Sequence, residues 1–145
     1  MKVEIKLDNE EFMPTRAHPW DAGMDLKSTF ATQIAPGSMG LVDTGVSIKI
    51  PLGYVGLVFS RSSMGKVSVT LANSVGVIDE SYRGNIKVMI QNNNKDSYFD
   101  IKRGDRIAQL VLVPVLIPEL LTYTGTKEDW ENTTRGTGGF GSSGK

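Results

Sequence analysis

Hydrophobic and polar side chains alternate along much of this chain. Residues 2–7 read K-V-E-I-K-L, and residues 41–50 repeat the same period of two. Such alternation is typical of strands with one buried face. Further runs rich in apolar, β-branched or aromatic side chains predict four more strands, at residues 54–59, 86–90, 98–101 and 107–113. The last run is almost continuously apolar, which predicts a strand buried on both faces.

Turn-forming residues separate these runs. They include the pairs and triplets at residues 36–37, 51–53, 92–94 and 103–105. No long amphipathic helical pattern lies between the strands, so the chain is predicted to be all-β: a sandwich, jelly roll or barrel. At most one short helix is expected, near residues 62–66. There is no internal repeat and no domain linker.

Composition narrows the function classes. The chain has 145 residues, enough for one domain with a hydrophobic core. Lysine plus arginine and aspartate plus glutamate both number 16, which argues against a general nucleic-acid binder but leaves a small phosphorylated ligand open. Cysteine is absent, so disulfides and thiolate chemistry are excluded. No signal peptide or membrane-length apolar run is seen, and a cytoplasmic protein is expected (host cytoplasm if viral).

The last eleven residues differ in kind from the rest. They read R-G-T-G-G-F-G-S-S-G-K and cannot pack a core. A disordered tail is the ordinary interpretation of such a terminus. Glycines, however, let backbone N–H groups approach phosphate oxygens, serines add donors, and Arg135 adds a charged fork. The chain is therefore divided into a domain at residues 1–134 and a flexible arm at residues 135–145.

The segment at residues 72–85 holds one group of candidate site residues. Asp79 is predicted near the tip of a β-hairpin, where a carboxylate can polarise a water for attack on phosphorus. Tyr82 can stack on a sugar or base, and the Asn73 amide suits the edge of a pyrimidine. Spacing alone leaves a purely structural role open for each of them: Asp79 as a turn former, Tyr82 as a half-buried sheet tyrosine and Asn73 as an ordinary turn asparagine.

Other polar residues form a second group of candidates. Arg61, Ser62 and Ser63 follow a predicted strand and place a charged fork with two hydroxyls at its end, although a surface loop with a capping serine is common. Asp21 and Asp25 flank a turn of small residues, and one of the two can hold a hydrated Mg²⁺, or both serve only the turn. Gln109 interrupts a buried apolar run, so its amide needs partners in the backbone or in a ligand.

Five motifs in a fixed order resemble those of the trimeric dUTPase family. They are D-A-G-M-D-L, S-R-S-S-M-G, A-N-S-V-G-V-I-D-E-S-Y-R-G, G-D-R-I-A-Q-L-V and R-G-T-G-G-F-G-S-S-G, and they span nearly the whole chain. The second motif more often reads P-R-S-G in the family, so Ser60 and Ser63 are departures. The resemblance implies a β jelly roll and a homotrimer whose active sites are shared between chains.

The resemblance also implies a reaction and a set of roles. The chain would hydrolyse dUTP to dUMP and pyrophosphate, with Asp79 as the general base and Mg²⁺ as cofactor, held by Asp25 through water. Tyr82 would exclude ribose, and Asn73 would read uracil with backbone groups near Gly76 and Ile78. The remaining implied contacts to phosphate and base are Arg61, Ser62, Ser63, Gln109, Arg135, Phe140, Gly141, Ser142 and Ser143.

Two rival functions stay open at this stage. A dCTP deaminase would share the jelly roll and the trimer, but it needs a different acid–base set at the pyrimidine. A non-enzymatic jelly-roll trimer would have no use for Asp79 or for the tail. The expected partners are dUTP and two further copies of the chain, with no nucleic acid, no membrane and no obligatory protein partner.

Overall fold

Short strands dominate the structure. It is a computed structural model, and it describes residues 1–139. In chain order the strands are β1 (Glu4–Leu7), β2 (Met24–Lys27), β3 (Thr32–Ile34), β4 (Met39–Asp43), β5 (Val46–Lys49), β6 (Tyr54–Phe59), β7 (Val69–Leu71), β8 (Gly76–Ile78), β9 (Lys87–Asn92), β10 (Phe99–Ile101) and β11 (Arg106–Pro114). The helices are α1 (Ser62–Lys66) and α2 (Lys127–Glu131), and a single 3₁₀ turn covers Glu10–Phe12. The all-β, jelly-roll-like class predicted from the sequence is confirmed.

The strands form four sheets. The largest has the order β2-β11-β6-β8, and a second has the order β4-β9-β7. Two further pairs, β1 with β5 and β10 with β3, complete the framework, and all of these pairings are antiparallel. Side chains from the two larger sheets belong to one buried apolar cluster, which includes Leu26, Val58 and Leu110 from the first and Val42, Val88 and Ile90 from the second. The core therefore lies between these two sheets.

The predicted strand at residues 41–50 is divided in the structure. β4 ends at Asp43, β5 begins at Val46, and the two strands belong to different sheets. Gly45 has φ +65°, and a Cβ there would lie 2.9 Å from Thr29 Cγ2. A left-handed conformation in so tight a place requires glycine. The chain can therefore change sheets here while the alternation of buried residues continues.

Two other predictions need correction. The helix predicted near residues 62–66 is present as α1. The structure also contains a second helix, α2, so the prediction of at most one helix was wrong. The hydroxyl of Thr126 accepts a hydrogen bond from Asp129 N at 3.1 Å and caps α2. This is the spacing of a capping box, a signal that is visible in the sequence.

The hairpin predicted around Asp79 is also absent. β8 pairs with β6, whereas β9 pairs with β4 and β7 in the other sheet. Residues 79–86 therefore connect two sheets instead of joining two paired strands. The strand at residues 107–113 is present as β11, but it is fully buried only at Ile107, Ala108 and Leu110. No helix within residues 1–139 is long and apolar enough to cross a bilayer.

Candidate functional site

A polar pocket of about 360 Å³ lies where β2, β11 and the end of β6 meet. These strands are neighbours in the largest sheet, so side chains far apart in sequence converge on its walls. The lining residues are Ala17, Asp21, Ala22, Gly23, Asp25, Arg61, Ser62, Arg106 and Gln109. The pocket thus brings together residues of the first, second and fourth sequence motifs.

Asp25 connects two arginines on the wall of this pocket. Its Oδ1 accepts from Arg61 Nε at 2.8 Å, and its Oδ2 accepts from Arg106 Nη1 at 3.1 Å. The side chains of Asp25 and Arg61 are 15% and 23% exposed, while that of Arg106 is 50% exposed. Because each guanidinium has five N–H donors, most of them remain available for an anion in the pocket. Arg61 and Arg106 can therefore clamp phosphate groups together.

Gln109 is held at the centre of the sheet. It lies opposite Asp25 on one side and opposite Phe59 on the other, and its Nε2 donates to Ser60 O at 3.2 Å. A Cβ at Gly23 would collide with Gln109 Oε1. The glycine of the first motif therefore makes room for the glutamine of the fourth, whose amide oxygen points toward the pocket wall. The amide has a backbone partner and also lines the pocket.

Helix α1 follows directly from this wall. Arg61 is its N-cap residue, but its side chain turns to Asp25 instead of capping the helix. Ser62 and Ser63 are both exposed, and Ser62 lines the pocket. Within residues 1–139 neither hydroxyl forms a hydrogen bond. Both remain available to a ligand.

The loop before β8 presents Asn73. Its side chain is exposed and has no hydrogen bond within the described part of the chain. Ser74 is held at φ 62°, an uncommon conformation for serine, and Val75 N donates to Asn73 O at 2.7 Å. Strained backbone of this kind concentrates at ligand sites. Gly76 and Ile78 are fixed by pairing with Val58 and Gly56 of β6.

Asp79 and Tyr82 lie in the connection after β8. Tyr82 N donates to Asp79 O at 3.1 Å, which closes a turn, and Tyr82 Oη donates to Asn85 O at 3.0 Å. The Asp79 carboxylate is exposed and has no ion-pair partner among residues 1–139. The carboxylate is therefore accessible to a ligand or to a water molecule.

The strand register separates the two groups of candidates within one chain. Ile78 lies opposite Gly56 in β6, so Asp79 follows at the level of Val55, whereas Arg61 lies beyond the other end of β6. Six residues of strand span about 20 Å. One chain therefore does not bring Asp79 to the polar pocket beside its own Arg61.

The C-terminal candidates are only partly described. Arg135 is exposed, and its Nε donates to Gly138 O at 2.9 Å. Phe140, Gly141, Ser142 and Ser143 lie outside the described residues. Their predicted contacts with base and phosphate stay predictions.

Among the pocket residues that were not predicted as site residues, Arg106 and Gly23 contact the predicted ones directly. Arg106 lies in G-D-R-I-A-Q-L-V, three residues before Gln109, but no function was predicted for it. Gly23 lies in D-A-G-M-D-L and has no predicted role. A charged residue at the start of an apolar strand was the available signal for Arg106. The contact between Gly23 and Gln109 depends on strand pairing and left no trace in the sequence.

The residues present fit magnesium in only one way. Within residues 1–139 no group of three or more histidines or carboxylates could hold a metal. A cage made of protein ligands is therefore not available in that part of the chain. The pocket is lined by two carboxylates, Asp21 and Asp25, beside two arginines. This suits Mg²⁺, which keeps several waters and takes one or two carboxylates together with substrate phosphates. Asp25 fits a contact through water.

Fold and pocket together define a class: a β-rich protein whose largest sheet carries two arginines, joined by a carboxylate, on the wall of a polar pocket. A sequence model described as dUTPase matches residues 9–144. The chain belongs to the dUTPase family, and it is an enzyme of that family.

Individual relatives agree with this assignment. The deoxyuridine 5'-triphosphate nucleotidohydrolase of Mycobacterium sp. (strain JLS) is 48% identical over 142 residues, covering 97% of this chain and 92% of the relative. That of Corynebacterium glutamicum is 44% identical, with 97% and 93% covered. The Staphylococcus bacteriophage 80alpha dUTPase with dUpNHpp has a TM-score of 0.88 at 31% identity and covers 99% of both chains.

A second phage structure concerns a metal. The dUTPase of phage phi11 of S. aureus, a mutant described with a structural Mg(II) ion, has a TM-score of 0.80 and 30% identity. The similarity covers 87% of this chain and 99% of that one.

Proposed function

We propose that this protein hydrolyses dUTP to dUMP and pyrophosphate by attack of water on the α-phosphate. This activity would keep uracil out of DNA and supply dUMP for dTMP synthesis. The observation that carries the proposal is the pair Arg61 and Arg106, joined by Asp25 on the wall of a polar pocket. Relatives named for dUTP hydrolysis and a similar structure with dUpNHpp support the identity of the substrate.

The phosphate pocket would bind and orient the triphosphate. Arg61 and Arg106 supply planar forks that match phosphate oxygens, and Ser62, Ser63 and Gln109 add neutral donors. Fixed positive charge lowers the energy of the negative charge that develops on the phosphorus oxygens during attack. Arg135 of the arm would add a further charge at the γ-phosphate, with Ser142, Ser143 and Gly141 as neighbouring contacts and Phe140 over the base.

The loop around β8 would select the nucleoside and provide the base. The Asn73 amide, which forms no hydrogen bond within residues 1–139, would bind uracil with the support of backbone groups near Gly76 and Ile78. Tyr82 would pack against deoxyribose. The exposed carboxylate of Asp79 would accept a proton from the attacking water while holding it in line with phosphorus.

Asp25 would hold magnesium through water, beside the bound triphosphate. When bound, it supplies positive charge that neutralises the phosphates and helps to orient them. The protein's own part is to keep the Asp25 carboxylate fixed between two arginines.

The active form would be a homotrimer with shared sites. The separation of about 20 Å along β6 means that a substrate at one chain's phosphate pocket needs the Asp79 of another chain. A second observation points to an interface: in the irregular stretch at residues 115–121, large apolar side chains lie exposed, among them Leu116, Leu120 and Leu121 at 91%, 88% and 82%. Apolar patches of this kind mark contacts between proteins.

Mixed oligomers test the sharing of sites. Asp79→Asn and Arg61→Ala chains should each be inactive alone. When they are unfolded together and refolded in equal amounts, about a quarter of the sites would combine an intact Asp79 with an intact Arg61 from different chains. Activity that reappears only after mixing supports shared sites; activity that stays absent would show that each chain acts alone.

Pyrophosphate release from dUTP, UTP, dTTP and dCTP, with and without Mg²⁺, tests the reaction itself. We expect release from dUTP only, and dependence on Mg²⁺. Ammonia from dCTP would favour the deaminase alternative. No pyrophosphate from any nucleotide would favour a binding protein without activity. A cytoplasmic location and the absence of an obligatory protein partner stay predictions.

A further inference from the structure

Gly84 lies against the ring of Tyr82. A Cβ at position 84 would be 2.5 Å from Tyr82 Oη, 2.8 Å from Cζ and 3.2 Å from Cε2. Side chains in proteins do not pack this closely. The φ of Gly84 lies outside the left-handed region, so its backbone conformation is open to other residues. The space for the ring is therefore what requires glycine at this position.

The loop fixes the tyrosine from several directions. Tyr82 Oη donates to Asn85 O at 3.0 Å, and Tyr82 N donates to Asp79 O at 3.1 Å. The Arg83 guanidinium donates through Nη1 to Tyr82 O at 2.9 Å and to Glu80 O at 2.5 Å. The phenol thus folds back over its own loop and not into the core. Tyr82 remains 43% exposed, with the rest of its ring open to a ligand.

We propose that Gly84 is a positioning residue that sets the discrimination between deoxyribose and ribose. Without a side chain, it lets the Tyr82 ring lie close to the loop, where it leaves room for a sugar that lacks the 2′-hydroxyl. The inference rests on the proposed function, in which Tyr82 contacts the sugar. The new element is that the position of the Tyr82 ring depends on the absence of a Cβ at Gly84.

Partial exposure of the ring gives the proposal a distinctive consequence. A ring held in a core can move only by disrupting its neighbours, whereas a half-exposed ring can rotate toward solvent at small cost. A methyl group at position 84 should therefore displace the ring and alter selectivity while leaving the fold stable. A residue that matters only for folding would show the reverse.

The chain offers a matched control in Tyr123-Thr124-Gly125. A Cβ at Gly125 would likewise collide with the ring of Tyr123, two residues earlier, with Cε1 at 3.0 Å. The spacing and the contact are the same, but this pair lies outside the loop that carries Asp79 and Asn73. Gly125→Ala therefore reports what the loss of such a contact does without a role in sugar selection.

The test compares kcat/KM for dUTP and UTP, measured by pyrophosphate release, together with the melting temperature. For Gly84→Ala we expect the dUTP/UTP ratio to fall at least about tenfold, out of the roughly hundredfold that a pocket can gain by excluding one hydroxyl. The melting temperature should stay within about 2 °C of the wild type. Gly125→Ala should leave the ratio unchanged.

A double-mutant cycle separates positioning from general damage. Tyr82→Phe removes the Oη that lies nearest to the added methyl, so Gly84→Ala should reduce the ratio less in that background than in the wild type. Tyr82→Ala removes the ring and should reduce the ratio at least as much as Gly84→Ala does. It gives an answer even when Gly84→Ala does not fold.

An unchanged ratio in folded Gly84→Ala, or in Tyr82→Ala, would overturn the inference. Equal losses for dUTP and UTP would also overturn it, because positioning against the sugar must affect the two nucleotides differently. A wild-type protein that releases no pyrophosphate from dUTP would instead refute the proposed function. The two failures are therefore distinguishable.

Discussion

Substitution of Asp25 tests two roles at once, because its carboxylate binds two arginines and is also proposed to contact magnesium through water. Asp25→Asn keeps the size of the side chain but removes its charge. One oxygen remains to accept from Arg61, and the contact with Arg106 is lost or replaced by an amide facing a guanidinium. The fold has no second carboxylate within hydrogen-bonding distance of both arginines in its described part.

The loss in free energy of unfolding expected for Asp25→Asn depends on how exposed the three paired side chains are. A hydrogen bond between charged groups contributes about 1.5–3 kcal/mol when it is shielded from water and about 1 kcal/mol or less when it is exposed. Asp25 and Arg61 are largely buried, and Arg106 is half exposed. With part of the Arg61 contact retained, the loss should be about 2 kcal/mol. For a chain of this size that corresponds to a fall in melting temperature of roughly 4–8 °C.

Thermal unfolding at one fixed protein concentration measures this cost, because an oligomer's melting temperature depends on concentration. Glu4→Gln is the control: it breaks an exposed ion pair, Glu4 with Lys49, at the same distance of 2.8 Å. We expect little change there. If Asp25→Asn melts within about 1 °C of the wild type, or no lower than Glu4→Gln, then Asp25 does not fix the two arginines.

Ligand binding tests the second role of Asp25. Without Mg²⁺, Asp25→Asn should bind dUpNHpp at least as tightly as the wild type, because a negative charge has left the pocket. With Mg²⁺, the wild type should gain affinity by about tenfold or more, the value of one charged hydrogen bond, and the variant should not. Calorimetric titration measures both. An equal gain from Mg²⁺ in the two proteins would refute the water-mediated contact.

Three further predictions concern the base, the arm and pH. Asp79→Asn should bind dUpNHpp almost normally but lose about 100-fold or more in kcat; preserved turnover with weakened binding would contradict its role as base. Deleting residues 135–145 should leave the assembly folded, by sedimentation and melting temperature, but with little activity; full activity, or unfolding, would contradict the arm. A hydrogen bond from Lys49 and its positive charge lower the pKa of Glu4. Stability from this pair is therefore present above the ordinary value of 4.5 and is lost as pH falls through the lowered pKa. Urea midpoints should show a small advantage of the wild type over Glu4→Gln at neutral pH that vanishes in acid, and an advantage that persists in acid would exclude this pair as its source.

Pattern in the sequence was sufficient for most of the elements. The period of two at residues 2–7 coincides with β1, and the apolar run at 54–59 coincides with β6. These predictions succeeded because burial of one face is a local property that every second side chain records. The motif order likewise pointed to Asp25, Arg61 and Gln109, which the structure brings to one pocket.

The pairing of strands could not be predicted from the sequence. The hairpin expected around Asp79 failed because β8 pairs with β6 and not with the strand that follows it. Arg106 was overlooked because its importance comes from Asp25, 81 positions away in the chain. Such contacts depend on which strands become neighbours, and side-chain alternation does not specify the neighbour.

The sequence by itself thus determined the class of fold, about half of the strands and the family motifs, since these rest on local periodicity and on the order of residue types. Only the tertiary structure decided how far apart the motifs lie within one chain. The antiparallel register of β6 and β8 places Asp79 and Arg61 about 20 Å apart along the sheet. The tertiary structure also decided that Gly84 makes space for a tyrosine ring, because an absent side chain acquires meaning only from the atoms packed against it.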